Sequence, residues 1–194
     1  MNESRHISTE LSLSEAWKRV EGRVRTAVED GSHPFRTVAL ATADKTGSPQ
    51  QRMVILRNFT DDSVFTVFTD NRSDKVDQIL ENSSVSLLFY DADEKLQLRA
   101  AGKAVVIHDG EERMRYWNSR GSRNPYSYTS VVAPGTVIGH PREAYRWGEE
   151  APSNFSLIKV EATWMEFLQL GGVRHIRAEK RIRQGVERIR WIAP

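Results

Sequence analysis

The feature that most limits what this chain can fold into is a change of hydrophobic period near residue 35. Before it, Trp17, Val20, Val24, Ala27 and Val28 recur at the spacing of one helix face. Ser12 or Ser14 can cap that helix, Gly31 ends it and Pro34 bars its continuation, which predicts a helix over about 12–30. After it, short strand-like runs take over. Thr37 to Thr42 and Gln51 to Phe59 flank the turn sequence Asp44-Lys45-Thr46-Gly47 and predict a hairpin. Val64 to Thr69, Val85 to Tyr90 and Leu96 to Ile107 read as further strands, followed by strand-like segments at 154–170, 173–183 and 187–192. Helices are expected over Ser73 to Asn82, with Val76, Ile79 and Leu80 inward, and from about Asp109 to Ser119. The segment of about 120–153 is rich in Pro and Gly and reads as loop. Many short hairpin-linked strands with few helices favour a small antiparallel barrel.

With 194 residues and no composition shift or linker, one domain spanning 1–194 is the natural reading. The chain has no cysteine, which excludes a disulfide scaffold, a thiol nucleophile and a cysteine-ligated zinc or iron–sulfur site. The five histidines (His6, His33, His108, His140 and His175) show no metal-ligand spacing, so no metal is expected. No apolar run approaches the roughly 20 residues of a membrane span. The first ten residues are polar and lack a signal-peptide core, so the expectation is a cytoplasmic protein with no membrane partner.

The formal net charge of +2 hides a segregation. Residues 61–94 carry nine acids against Arg72 and Lys75, whereas residues 171–190 carry seven bases against Glu179 and Glu187. A basic end of this kind can bind nucleic acid or phosphate, or can be a solvated strand pair. The small net charge and the absence of a nucleic-acid motif argue against a nucleic-acid partner. Nucleotide-loop and serine-hydrolase signatures are also absent. What remains is a set of cations and hydroxyls at strand ends. Thr69-Asp70-Asn71-Arg72-Ser73-Asp74-Lys75 leaves a strand and opens a helix, where hydroxyls, free amides and a lysine make an anion site; the acids there can equally act as helix caps. Arg52 and Arg57 are an odd number of residues apart, so a regular strand would turn them to opposite faces, and only a bulge or a site past the strand end would unite them. Gln97 and Arg99 share one strand face and would need partners if that face were buried: a ligand, or a salt bridge to one of the many acids.

Taken in order, Arg52-Met53-Val54-Ile55-Leu56-Arg57, then Phe68 to Lys75, then Gln97-Leu98-Arg99-Ala100-Ala101-Gly102, resemble the flavin mononucleotide (FMN) site of the pyridoxamine 5′-phosphate oxidase family. Tyr116-Trp117-Asn118-Ser119-Arg120 and the terminal Trp191-Ile192-Ala193-Pro194 are similar to that family too. The resemblance implies a mainly β fold with flanking helices, an antiparallel split β-barrel that binds FMN between the subunits of a homodimer. It implies that Arg52, Thr69, Ser73 and Lys75 hold the cofactor phosphate, that Gln97 meets the isoalloxazine edge, and that Arg177 supplies a cation near the flavin that would stabilise its reduced anionic form. Met53, Val54, Arg57 and Phe68 fall within the same cofactor-binding stretches. Arg57, Tyr116, Arg120 and His175 are the implied substrate contacts, and the implied substrate is a small molecule such as pyridoxine or pyridoxamine phosphate.

The chain also departs from the family pattern. Asp74 stands where the family has an arginine, and Arg57 where it has a lysine. Val173-Arg174-His175-Ile176-Arg177 replaces an arginine–leucine–histidine–aspartate–arginine run, and Ala133-Pro134-Gly135 sits in a loop unlike that of the oxidases. The expected activity is therefore an FMN-dependent hydride transfer involving a small substrate, with no catalytic side chain assigned. The alternatives are an FMN-dependent reductase of another substrate with a nicotinamide or deazaflavin donor, and a non-catalytic flavin- or nucleic-acid-binding module.

Overall fold

The computed structural model describes residues 6–119, 126–148, 152–171 and 174–194. Helix α1 spans Leu13–Glu29. The Ser12 hydroxyl accepts from the Glu15 amide, and the Glu15 carboxylate accepts back from the Ser12 amide at 2.9 Å, a capping box that satisfies two free donors. Its buried stripe is Ala16, Trp17, Val20, Val24, Ala27 and Val28. A single 3-10 turn over Pro34–Arg36 then drops Phe35 into the core.

Eight strands follow: β1 (Thr37–Ala43), β2 (Pro49–Phe59), β3 (Val64–Asp70), β4 (Ser84–Asp91), β5 (Leu96–Ile107), β6 (Phe155–Gln169), β7 (Ile176–Arg183) and β8 (Val186–Ile192). All pairings are antiparallel, in the order β3-β2-β1-β4-β5-β6-β7-β8. An additional β3–β6 pairing closes the first six strands into a barrel, leaving β7 and β8 as an outlying hairpin. Strand β6 makes this possible by changing partners. Residues 155–161 pair with β3, and residues 164–169 pair with β7. At the switch, β5 shifts register between Ala101 and Gly102. There the two backbones lie so close that a Cβ on Gly102 would overlap the Glu161 carbonyl and come within 2.9 Å of the Ala162 Cα.

The interior follows the two-residue period. Val38, Leu40, Leu56, Phe65, Leu87, Phe89, Leu98 and Phe167 are buried, and the α1 stripe closes over them. Phe68, Trp117, Phe155 and Leu157 form a second, smaller cluster. Helix α2 (Asp74–Glu81) buries Val76 and Ile79 as expected, but Leu80 is 69% exposed, against the sequence expectation. The reason is polar: Lys75 and Gln78 occupy the sector of the helix that turns toward the barrel, which rotates Leu80 away. Helix α3 covers Gly110–Ser119. Within the loop-rich segment, the described residues form a short helix α4 (Tyr126–Thr129), a 3-10 turn over Pro141–Ala144 and a bridge between Ser130 and Trp147. Strand β7 begins at Ile176; residue 173, where the sequence expectation starts, lies outside the described residues, and the Arg174 amide donates to the Gly171 carbonyl at 2.8 Å. No helix among the described residues is long and apolar enough to cross a membrane, and no group of three or more acids or histidines among them could hold a metal ion.

Candidate functional site

The 69–75 segment, read from the sequence as a candidate anion site, forms the junction of β3 and α2. The Lys75 Nζ donates to the Ser73 Oγ at 2.8 Å and the Thr69 Oγ1 at 3.2 Å, and the two hydroxyls lie 3.1 Å apart. Arg52 projects inward from β2 beneath α2. Its guanidinium donates to the Thr42 hydroxyl at 2.6 Å and the Gln78 Oε1 at 2.9 Å. Neither cation has a carboxylate ion-pair partner among the described residues. Burial holds the Lys75 ammonium below its ordinary value and the adjacent Arg52 charge lowers it further, with Asp70 and Asp74 opposing in part. Arg52 is likewise lowered, chiefly by burial. Two mutually repelling cations among neutral hydroxyls are a site short of an anion.

Arg57 leaves this group. A register shift between Leu56 and Asn58 makes it the extra residue of a bulge in β2, but the bulge takes it to the Phe68 ring and not to the Arg52 cluster. The bulge seats its guanidinium 5.0 Å from the centre of the Phe68 ring, and Phe68 meets Tyr116 edge-on at 5.7 Å. Tyr128 joins the same cluster, edge-on at 5.0 Å to Phe155, which itself meets Phe68 at 4.9 Å. Burial raises its phenol, and the Arg57 charge pulls it partly back. Arg57 and Tyr116 are thus brought together, whereas Arg120 lies outside the described residues.

Gln97 and Arg177 lie elsewhere, on the outer face of the sheet. The register runs Gln97–Leu168–Arg177 across β5, β6 and β7, so their side chains share that face. Gln97 has no side-chain hydrogen bond among the described residues. The Arg177 Nε is a buried donor without an acceptor, while its NH2 donates to Glu166 at 2.7 Å. The next row is Met53–Ala39–Leu88–Arg99–Glu166–Glu179–Arg190. Arg99 stacks on Trp164 at 5.1 Å and pairs with Glu166 at 3.4 Å, the salt bridge that the sequence left open. Met53 is exposed on this face, and Val54 is half-buried on the other, against the barrel core. His175 is exposed, and its Nδ1 accepts from the Gly171 amide at 3.2 Å. It lines a cavity of about 260 Å³ with Arg177 and Trp191, apart from Tyr116 and Arg57.

On the same face Glu179 accepts from the Trp164 indole, Arg181 and Arg190. The Arg181 hydrogen bond, then that of Trp164, holds its carboxyl down to about 2. A carboxyl depressed in the folded state stabilises above its unfolded value near 4.5 and loses that contribution as pH falls toward about 2. Thermal midpoints measured across that interval should therefore fall less steeply for Glu179→Gln than for the parent chain. Parallel slopes would contradict the assignment.

Sequence reasoning missed Thr42, Gln78 and Tyr128, none of which carries a local signal. Asp74, where the sequence suggested a cap or a side chain turned away from a phosphate, is an exposed acid in the first turn of α2. The Asp74 carboxylate lies within 3.8 Å of where a Cβ on Gly135 would stand, so this departure from the family meets the equally divergent Ala133-Pro134-Gly135 loop. Gly135, at φ +86°, adopts a conformation that L side chains rarely reach. Arg72 fixes the same loop: it forms a two-point pair with the Asp70 carboxylate at 3.0 and 2.7 Å and donates to the Ser130 carbonyl at 2.9 Å.

Comparison with known proteins places this architecture. The pyridoxine/pyridoxamine 5′-phosphate oxidase of Rhizobium johnstonii is 30% identical over 142 residues, covering 67% of this chain and 67% of its own. The chloroplastic enzyme of the same name from Arabidopsis thaliana is 37% identical over 145 residues, covering 73% of this chain and 27% of that longer protein. Among solved structures, a pyridoxamine 5′-phosphate oxidase-related, FMN binding protein of Nostoc punctiforme superposes with a TM-score of 0.74 at 21% identity, over 92% of this chain and 97% of that one. PhzG of Burkholderia lata, solved with tetrahydrophenazine-1-carboxylic acid, gives 0.73 at 19% identity over 92% of each chain. These two likenesses establish the fold. The sequence profile of pyridoxamine 5′-phosphate oxidase matches residues 24–169, from the middle of α1 to the end of β6, and by that match and the curated relatives the chain belongs to the pyridoxamine 5′-phosphate oxidase family.

Proposed function

We propose that the chain is an FMN-binding oxidoreductase that transfers a hydride between a small substrate and the cofactor. The observation that carries this reading is the pair of cations Arg52 and Lys75, held together without a carboxylate partner over the Thr69 and Ser73 hydroxyls. A phosphate there would accept from all four groups and offset both the burial and the Arg52 repulsion that lower Lys75. Bound FMN would supply a two-electron carrier that no side chain here provides. The residues would hold its phosphate, and Gln97 and the orphaned Arg177 donor would meet its ring edge.

This division favours a homodimer. Ser156, opposite Thr69, and Leu168, between Gln97 and Arg177, are twelve residues apart along β6, a contour on the order of 40 Å. One cofactor can reach both groups when a second copy contributes one of them. The exposed apolar residues Met53, Leu88 and Tyr90 on the outer face fit such an interface.

For the substrate, Arg57 over Phe68, with Tyr116 and Tyr128, suits a flat ring carrying a phosphate or carboxylate. The test is the visible spectrum of the purified protein, identification of the released chromophore, and anaerobic bleaching by pyridoxamine phosphate and by reduced nicotinamides. Flavin absorbance bleached by one of these donors is the expected result. Absence of flavin, with no uptake of added FMN, would refute the reading. Bleaching by a nicotinamide alone would make the chain a reductase of another substrate.

A further inference from the structure

We propose that the outer face of the β7–β8 hairpin is a second anion site, separate from the α2 cradle, which takes a compact ligand carrying two or more linked phosphates. The hairpin is tight. Gln184 at φ +51° and Gly185 at φ +75° make a two-residue turn with both residues left-handed, the geometry that matches strand twist. It fixes the register Arg183–Val186, Arg181–Arg188 and Glu179–Arg190. Directly opposed residues share a face, so Arg181 and Arg188 stand side by side, flanked by Arg183 and Arg190. Like charges so opposed destabilise a strand pair unless an anion lies between them.

Among the described residues one carboxylate meets part of this need, and none meets the rest. Glu179, the acid of that hairpin face, is already taken by Arg181, Arg190 and Trp164, and Arg183 and Arg188 have no ion-pair partner there. The other face of the hairpin is neutralised: Lys180 pairs with Glu21 at 2.5 Å and Glu187 at 2.7 Å. The excess positive charge is therefore confined to one side, where it borders a cavity of about 570 Å³ lined by the four arginines, Gln184 and Val186. That volume is in the range of small-molecule sites, roughly 300–1,000 Å³. Guanidinium forks suit phosphate oxygens, and their anchor points are about 5 Å apart across the strands and about 7 Å along them. The lining holds no aromatic ring on which a base would stack, which favours a compact polyphosphate over a nucleic-acid strand.

The experiment is calorimetric titration of the full chain with tripolyphosphate, orthophosphate and a 20-base-pair DNA duplex. The same titrations are run on Arg183→Gln/Arg188→Gln, whose replaced side chains are exposed, and on Arg52→Ala. The parent should bind tripolyphosphate at least tenfold more tightly than orthophosphate. The double variant should lose at least tenfold of that affinity while keeping its FMN content and thermal midpoint, and Arg52→Ala should keep the hairpin binding. Undiminished binding by the double variant, or loss in Arg52→Ala alone, would overturn the proposal. So would tighter binding of the duplex with a steep salt dependence that the double variant removes, which would make the face a nucleic-acid surface. A double variant that changes from dimer to monomer would instead assign the face to an interface between copies.

Discussion

Gly102→Ala is expected to destabilise the fold by about 3 kcal/mol, the upper part of the usual cost of overpacking, because the added methyl meets backbone and not a yielding side chain. Its Cβ would overlap the Glu161 carbonyl and lie 2.7 Å from that carbonyl carbon, so β5 and β6 would have to part. They would part at the worst place. Here the β5–β6 register slips, β6 exchanges β3 for β7, and the Ala162 amide reaches back to the Ser63 carbonyl at 3.2 Å to tie the barrel shut. For a chain of this size each kcal/mol moves the thermal midpoint by about 2–4 °C, so a loss of roughly 6–12 °C is expected. Gly22→Ala is the matched control. Gly22 sits within α1 with nothing inside 4 Å of an added Cβ, so alanine there should raise stability by about 1 kcal/mol. Equal midpoints for the two variants would show that the close approach at Gly102 carries no energetic weight.

Gly102 also marks the limit of what the sequence reveals. The strand Leu96–Ile107 is legible to the residue, and so is the α1 stripe but for Ala16, because both rest on local periods that burial enforces. The β3–β6 closure is not legible: strands far apart in sequence carry no local mark of whom they pair with, and β6 reads as one uninterrupted strand although its two halves serve different neighbours. The candidate site divides in the same way. The Thr69, Ser73 and Lys75 group is visible because a single strand-to-helix turn presents all three. Period alone turned Arg57 away from Arg52, and the bulge that redirects it to Phe68 has no proline or glycine to announce it. Leu80 escapes the pattern because α2, besides burying Val76 and Ile79, turns Lys75 and Gln78 toward the barrel, polar residues whose partners come from β1, β2 and β3. Hydrophobic patterning assigns barrel-facing sectors to apolar residues, so it errs where polar groups with their own partners take part of that sector.

That displacement makes Arg52→Ala the sharpest test of the cofactor reading. A hydrogen bond between charged groups contributes about 1.5–3 kcal/mol, and each 1.4 kcal/mol is tenfold, so FMN affinity should fall roughly 10- to 150-fold. The loss has an internal partner. Arg52 lowers Lys75 in the free protein, so its removal should let the Lys75 titration rise toward the ordinary 10.5. Lysine titration followed by NMR in the apo-protein reads that shift without any cofactor present. The pH dependence has a definite sign. A lysine depressed in the folded state binds fewer protons there than when unfolded, so apo-protein stability should gain as pH rises from the lowered value toward 10.5. A bound phosphate favours the charged ammonium and should reverse that trend. Tyr116→Phe, a change beside the Phe68 ring, should leave FMN affinity intact. If Arg52→Ala keeps full affinity while Lys75 moves upward, the two cations are coupled but the phosphate lies elsewhere. If Lys75 does not move either, the adjacency itself is wrong, and the absence of a carboxylate partner loses its force as an argument for a bound anion.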